Sequence, residues 1–151
     1  MRKRVFGYQL SRDSNERKAL FRALVSSLIE KGEIETTLVK AKATQKNIEK
    51  LITRAKGKTL ADRRITLRFL TKTDLVSKLF DVIAPVFKER NGGYTRIVRT
   101  EIRQGDAAQM ARISFVEELP IEIKKGSENT QSEKEEKIVK KLVKKTKKVT
   151  K

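Results

Sequence analysis

The chain has 151 residues, of which 37 are Lys or Arg and 19 are Asp or Glu; it has no Cys and no His, and its net charge is +18. The absence of cysteine excludes disulfides and thiolate metal sites and gives no sign of an oxidising compartment. The basic surplus points to a polyanionic partner, nucleic acid first and an anionic membrane surface second.

At this length, with 37% apolar residues, the chain supports one domain. No apolar run has the length of a membrane span, and no apolar segment between Arg4 and Ser14 forms a signal peptide, so a soluble intracellular protein is expected, with no membrane partner. Both ends of the chain are basic. Before Lys124 there are 26 basic and 15 acidic side chains, and from Lys124 onward 11 and 4.

Residues 1–12 carry Arg2, Lys3, Arg4 and Arg12 with no acid, and Val5, Phe6, Tyr8 and Leu10 follow no burial period. They are read as an arm that orders on RNA, its bases on phosphates and Phe6 or Tyr8 stacked on unpaired nucleobases; a frayed terminus is the alternative. Residues 13–119 are read as a globular α/β domain. Asp13 and Glu16 have capping-box spacing, and Leu20, Ala23, Leu24 and Leu28 recur at helical spacing up to a stop at Gly32. Arg17, Lys18 and Arg22 crowd the start of this helix, where its dipole disfavours cations unless an anion is bound there.

Glu33 to Thr37 alternates as a short strand. A second helix, Leu38 to Lys56, buries Ile48, Leu51, Ile52 and Ala55. It carries Lys42, Lys46 and Lys50 four apart on another face, which reads either as a solvated stripe or as a binding surface beside Lys40. Gly57-Lys58-Thr59 resembles the end of a phosphate loop. However, Ile52 stands where that loop needs a glycine, and a helix stands where it needs a strand. The pattern therefore reads as a helix end and a new cap at Thr59 with Asp62. A third helix to about Leu70 is expected to bury Ile65 and Phe69 and to expose Arg63, Arg64 and Arg68. A fourth, after Thr73, has Leu75, Val76, Leu79, Phe80 and Ile83; as the most apolar helix it is expected to lie across the sheet, broken at Pro85, with Phe87 turned inward.

From Asn91 to Val116 the pattern is that of a β-hairpin, with its first strand from Tyr94 to Arg103. Val98 and Ile102 are placed on one face, with Arg99, Glu101 and Arg103 on the other. On the return strand Ala111, Ile113 and Phe115 oppose Arg112 and Ser114. Gly105-Asp106 is expected to supply the positive φ of the turn. The arginine face either tracks a nucleic-acid backbone or is an ordinary solvated sheet face. After Pro120 the composition becomes lysine-rich. Residues 120–151 are read as a tail disordered in the free chain, with Ser132 and Glu135 able to cap a helix bearing a narrow stripe of Ile138, Val139, Leu142 and Val143.

Gly92-Gly93-Tyr94-Thr95-Arg96-Ile97, followed by Arg103, Gly105-Asp106 and Met110-Ala111, resembles the family of the seventeenth protein of the bacterial large ribosomal subunit. Further agreement in order and spacing comes from Arg2 to Arg12, Arg17 to Leu28, Thr36-Thr37 with Lys40-Ala41-Lys42, and Arg63-Arg64 followed by Leu79-Phe80, Pro85 and Phe87. The resemblance covers about residues 1 to 118. The chain departs from the family pattern at Glu16, where a histidine is usual, and at Ala107, where asparagine is. The resemblance implies an α/β two-layer fold: a small mixed three-stranded sheet, joined by Glu33 to Thr37, covered by about four helices. It implies a structural constituent of the large subunit, cytoplasmic in the ribosome, near the mouth of the nascent-chain tunnel, with large-subunit rRNA and neighbouring ribosomal proteins as partners and no cofactor. The residues expected on RNA are Arg2, Lys3, Arg4, Phe6, Tyr8, Arg12, Arg17, Lys18, Arg22, Lys40, Lys42, Arg63, Arg64, Tyr94, Arg96, Arg99 and Arg103, with Gly92, Gly93 and Gly105 as structural glycines.

No enzyme emerges from the residues. Glu117 and Glu118 are adjacent and would face apart in a strand, while Glu33 and Glu35 share a face but lack a partner motif. A DNA-binding architectural protein is the alternative; it is disfavoured because no helix-turn-helix or zinc motif is present.

Overall fold

The computed structural model describes residues 8–119. Arg2, Lys3, Arg4 and Phe6 of the arm and the lysine-rich tail 120–151 lie outside the described residues. The elements follow in the order α1 (Ser14–Lys31), β1 (Glu33–Thr37), α2 (Leu38–Gly57), α3 (Leu60–Leu70) and α4 (Thr73–Lys78). A π-helical turn (Leu79–Ile83), α5 (Ala84–Val86), β2 (Thr95–Ile102) and β3 (Gln109–Phe115) complete them.

The helix boundaries come from local chemistry. Gly32 ends α1 with φ +85, a conformation a Cβ would disfavour, and its N–H donates to the Leu28 carbonyl. Thr59 caps α3 by accepting from the Asp62 N–H at 3.1 Å. Asp13 stands at the N-cap of α1, but its side chain makes no capping hydrogen bond, so the capping box expected there does not form. Its carbonyl still accepts the first helical bond, from the Arg17 N–H at 2.9 Å.

The sheet has the order β1-β3-β2, with both pairs antiparallel. It is therefore not mixed as expected: β1 and β2 run in the same direction, but β3 lies between them and pairs with each. The helices cover one face. α2 packs against all three strands, and its Ile48, Leu51, Ile52 and Ala55 are buried. The fourth helix, although more apolar, packs against α1 and α3 instead. Apolarity measures how much of a helix is covered, and here other helices do the covering. Pro85 also does not break that helix. The backbone stays helical through Ile83 and Ala84, and the Ala84 N–H reaches back five residues to Leu79. The wider turn places Pro85 in the first turn of α5, where its missing N–H is tolerated.

The hairpin forms between the predicted strands, but one strand is out of phase with the expectation. Thr95 and Ile97 of β2 stand opposite Phe115 and Ile113 of β3, so these residues face the helices. Val98 points away from them and is 52% exposed, and Ile102, beyond an irregularity in register between Arg99 and Ile102, is 65% exposed. Arg99 pairs with Ala111 and so lies on the helix side of the sheet, where it remains exposed. Ile97 and Val98 are both β-branched and apolar, so period two alone permits either phase. In α3 the buried residues are Thr66 and Leu70, with Phe69 packed on the core and Ile65 exposed rather than buried.

Candidate nucleic-acid interface

Cations gather on the helical layer. Lys18 and Arg22 of α1 are exposed and Arg17 is half-buried, while Lys42, Lys46 and Lys50 are exposed along α2 with Lys40 half-buried beside them. Residues four apart on a helix rise about 6 Å and share a face, so the α2 lysines form a line. The only carboxylate of α2, Glu49, is half-buried, and burial raises its pKa from the ordinary carboxylate value. Among the described residues Arg17, Lys18, Arg22, Lys42 and Lys50 have no hydrogen-bond or ion-pair partner for their side-chain cations. Like charges at this spacing repel, and a bound polyanion would relieve the repulsion.

The end of the arm meets this line. The Lys46 ammonium lies 5.7 Å from the centre of the Tyr8 ring, a cation-π contact, and Tyr8 is 37% exposed. Arg12 is exposed, and its guanidinium donates to the Leu10 carbonyl at 3.3 Å. The Tyr8–Lys46 contact thus brings the end of the arm, which leads through Arg12 into α1, against the lysine line of α2. On α3, Arg64 is exposed, whereas Arg63 pairs with Asp81 at 3.4 Å and lies 5.1 Å from the Phe80 ring centre. Lys50 and Arg68 are exposed cations that the sequence-based site omits. The sequence pattern marks both, Lys50 within the lysine stripe of α2 and Arg68 on the exposed face of α3, without choosing between a solvated face and a binding surface.

The hairpin contributes differently from expectation. Tyr94, expected on RNA, is 1% exposed and belongs to the core. Its ring sits edge-on to Phe87 and its hydroxyl is 3.4 Å from the Thr53 hydroxyl, so no nucleobase can stack on it. Arg103 clamps the turn. Its Nε donates to Asp106 Oδ1 at 3.0 Å and a second nitrogen reaches Oδ2, a bidentate pair that brings the Asp106 pKa down to about 2. The same hydrogen bond raises the Arg103 pKa. Arg96 donates from Nε to the Ser114 hydroxyl at 3.3 Å. Arg99 is exposed, without such a partner among the described residues.

Of the three glycines, Gly93 has φ +63 and Gly105 φ +101, as a tight connection and a hairpin turn require. The second residue with positive φ in the turn is Ala107, at +50, rather than Asp106. Gly92 has no positive φ, and a Cβ there would meet open space. Among the described residues no group of three or more carboxylate, His or Cys residues could hold a metal, and no helix is long and apolar enough to cross a membrane.

Comparison with known proteins gives a consistent picture. The model of the family described as Ribosomal protein L17 matches residues 20–116. The large ribosomal subunit protein bL17 of Symbiobacterium thermophilum is 52% identical over 108 residues, covering 72% of this chain and 96% of that protein. The bL17 of Thermodesulfovibrio yellowstonii is 47% identical over 117 residues, 78% of this chain and 88% of its own. That of Koribacter versatilis is 46% identical over 137 residues, 91% of this chain and 80% of its own. The matched span takes in α1 from Leu20 onward, α2, the π-helical turn and both strands of the hairpin, and on these matches the chain belongs to the ribosomal protein L17 family.

Proposed function

We propose that this protein is a structural constituent of the large ribosomal subunit, residing with the ribosome in the cytoplasm, that binds and stabilises large-subunit rRNA. The observation that carries the reading is the set of helical-layer cations without a partner among the described residues, Arg17, Lys18, Arg22, Lys42 and Lys50, together with the Tyr8–Lys46 contact by which the end of the arm meets the α2 lysine line. Such a surface tracks phosphates without reading bases, and the four basic residues of the arm would extend it. Arg64 and Arg99 are exposed and serve the same role. Arg103, whose partner lies within the hairpin turn, is a secondary contact, whereas Arg96 points away from the helical layer, engages Ser114 and is not assigned to RNA. The family is one of ribosomal structural proteins rather than enzymes. The resemblance supports a position near the mouth of the nascent-chain tunnel, beside other ribosomal proteins.

Co-sedimentation tests the reading. The protein is expected at one copy per large subunit after washing at high salt. Its loss in the wash, or its presence at far below stoichiometric level, would contradict an integral role.

A further inference from the structure

The two layers of the fold differ in charge. The face of the sheet turned away from the helices is formed by Glu33, Glu35 and Thr37 of β1, Met110, Arg112 and Ser114 of β3, and Arg96, Val98 and Thr100 of β2. In a chain of net charge +18, this face carries two carboxylates and two guanidiniums. Each is engaged across strands. Arg112 lies 4.0 Å from Glu33, Glu35 accepts from the Thr100 hydroxyl at 2.8 Å across β3, and Arg96 donates to Ser114. None of the described elements covers it: Glu33, Glu35, Arg96, Val98 and Arg112 are all exposed.

With two carboxylates balancing two guanidiniums that are already engaged, this face offers a phosphate no net positive charge. It suits a polypeptide instead. Its cations are arginines and none is a lysine, in contrast to the lysine line of α2, and this follows the arginine-over-lysine bias of protein–protein contacts. The β1 margin is acidic, and this selects the sign of what lies on it. We infer that the uncovered sheet face, centred on Val98 and bounded by Glu33 and Glu35, docks a segment of a neighbouring protein that carries lysine or arginine. The helical layer faces RNA. The chain is thereby oriented between the two kinds of partner.

The inference rests on the ribosomal reading above, and one experiment separates their failures. A photoreactive benzophenone side chain is placed at position 98 of the full-length protein, the large subunits are isolated from cells and washed, and the adduct is digested with nuclease or protease. The expected result is a nuclease-resistant, protease-sensitive adduct to one subunit protein, attached through a peptide that contains Lys or Arg and bears no net negative charge. Charge reversal by Glu33→Lys with Glu35→Lys should lower the yield of that adduct per incorporated chain by about five-fold or more. An adduct to rRNA, an adduct to an acidic peptide, or no adduct at all from incorporated chains would overturn the docking inference. So would an unchanged yield after charge reversal. None of these would disturb the ribosomal reading. Absence of the unsubstituted protein from washed subunits would overturn both.

Discussion

The Phe87 and Tyr94 rings meet edge-on, with centroids 5.3 Å apart and planes at 64°. This contact ties the end of the α4–π–α5 rod to the start of the hairpin, and the Tyr94 hydroxyl adds a third element by approaching Thr53 of α2 at 3.4 Å. Tyr94 is thus a keystone of the core. Tyr94→Ala should cost about 3–5 kcal/mol, the range for deleting a buried aromatic ring. Tyr94→Phe loses only a long hydrogen bond and should cost about 0.5–1.5 kcal/mol or less. Denaturant unfolding measures both. A Tyr94→Phe variant of unchanged stability but much weaker RNA binding would contradict the assignment of this residue to the core.

The two neighbouring glycines give a matched pair. At Gly93 a side chain meets no steric obstacle, but φ is +63, so Gly93→Ala should cost about 1–2 kcal/mol through backbone strain alone. At Gly92 φ is not positive and space is open, so Gly92→Ala should change stability by about 0.5 kcal/mol or less. Equal effects at both positions would show that something other than φ sets the requirement.

The Arg103–Asp106 pair makes the hairpin turn sensitive to acid. The Asp106 pKa is lowered from 3.8 to about 2 in the folded protein. The carboxylate therefore contributes stability that is fully present above the unfolded pKa and is lost as pH falls from about 4 through 2. Asp106→Asn should make the unfolding midpoint less dependent on pH in that window while leaving its dependence above pH 5 unchanged. A variant as acid-sensitive as the parent would show that other carboxylates dominate.

The parts of the fold with a single consistent local signal were legible in the sequence. Gly32 has the positive φ that stops α1, Thr59 and Asp62 cap α3, and the apolar positions of α2 are buried as read. Misreadings arose where two answers were locally equivalent. Ile97 and Val98 both satisfy an apolar strand position, and only the pairing of Ile97 with Ile113 decides which one faces the helices. Ile65 and Leu70 both suit a buried place on α3, and the packing of α3 among the other helices turns Thr66 and Leu70 inward rather than Ile65. For the candidate site, charge and spacing revealed the cations of α1 and α2. They did not reveal which arginines are already engaged, because the partners of Arg63, Arg96 and Arg103 follow from tertiary placement and turn geometry. Tyr94 was misassigned for a related reason: an aromatic residue in a recognisable motif has the same appearance whether it packs inward or stacks outward.

The central claim is that RNA is bound by the helical layer and not by the open sheet face, and the salt dependence of binding to large-subunit rRNA tests it most directly. Each phosphate contact contributes about 0.7 to 0.9 to the slope of log affinity against log salt. Replacing Lys42 and Lys50 together by Gln should therefore flatten the slope by about 1.5 and weaken binding at low salt. Replacing Arg96 and Arg112 together by Gln should leave the slope nearly unchanged, with circular dichroism preserved in both variants. The reverse pattern, a flattened slope for the sheet pair and none for the lysines, would contradict the account.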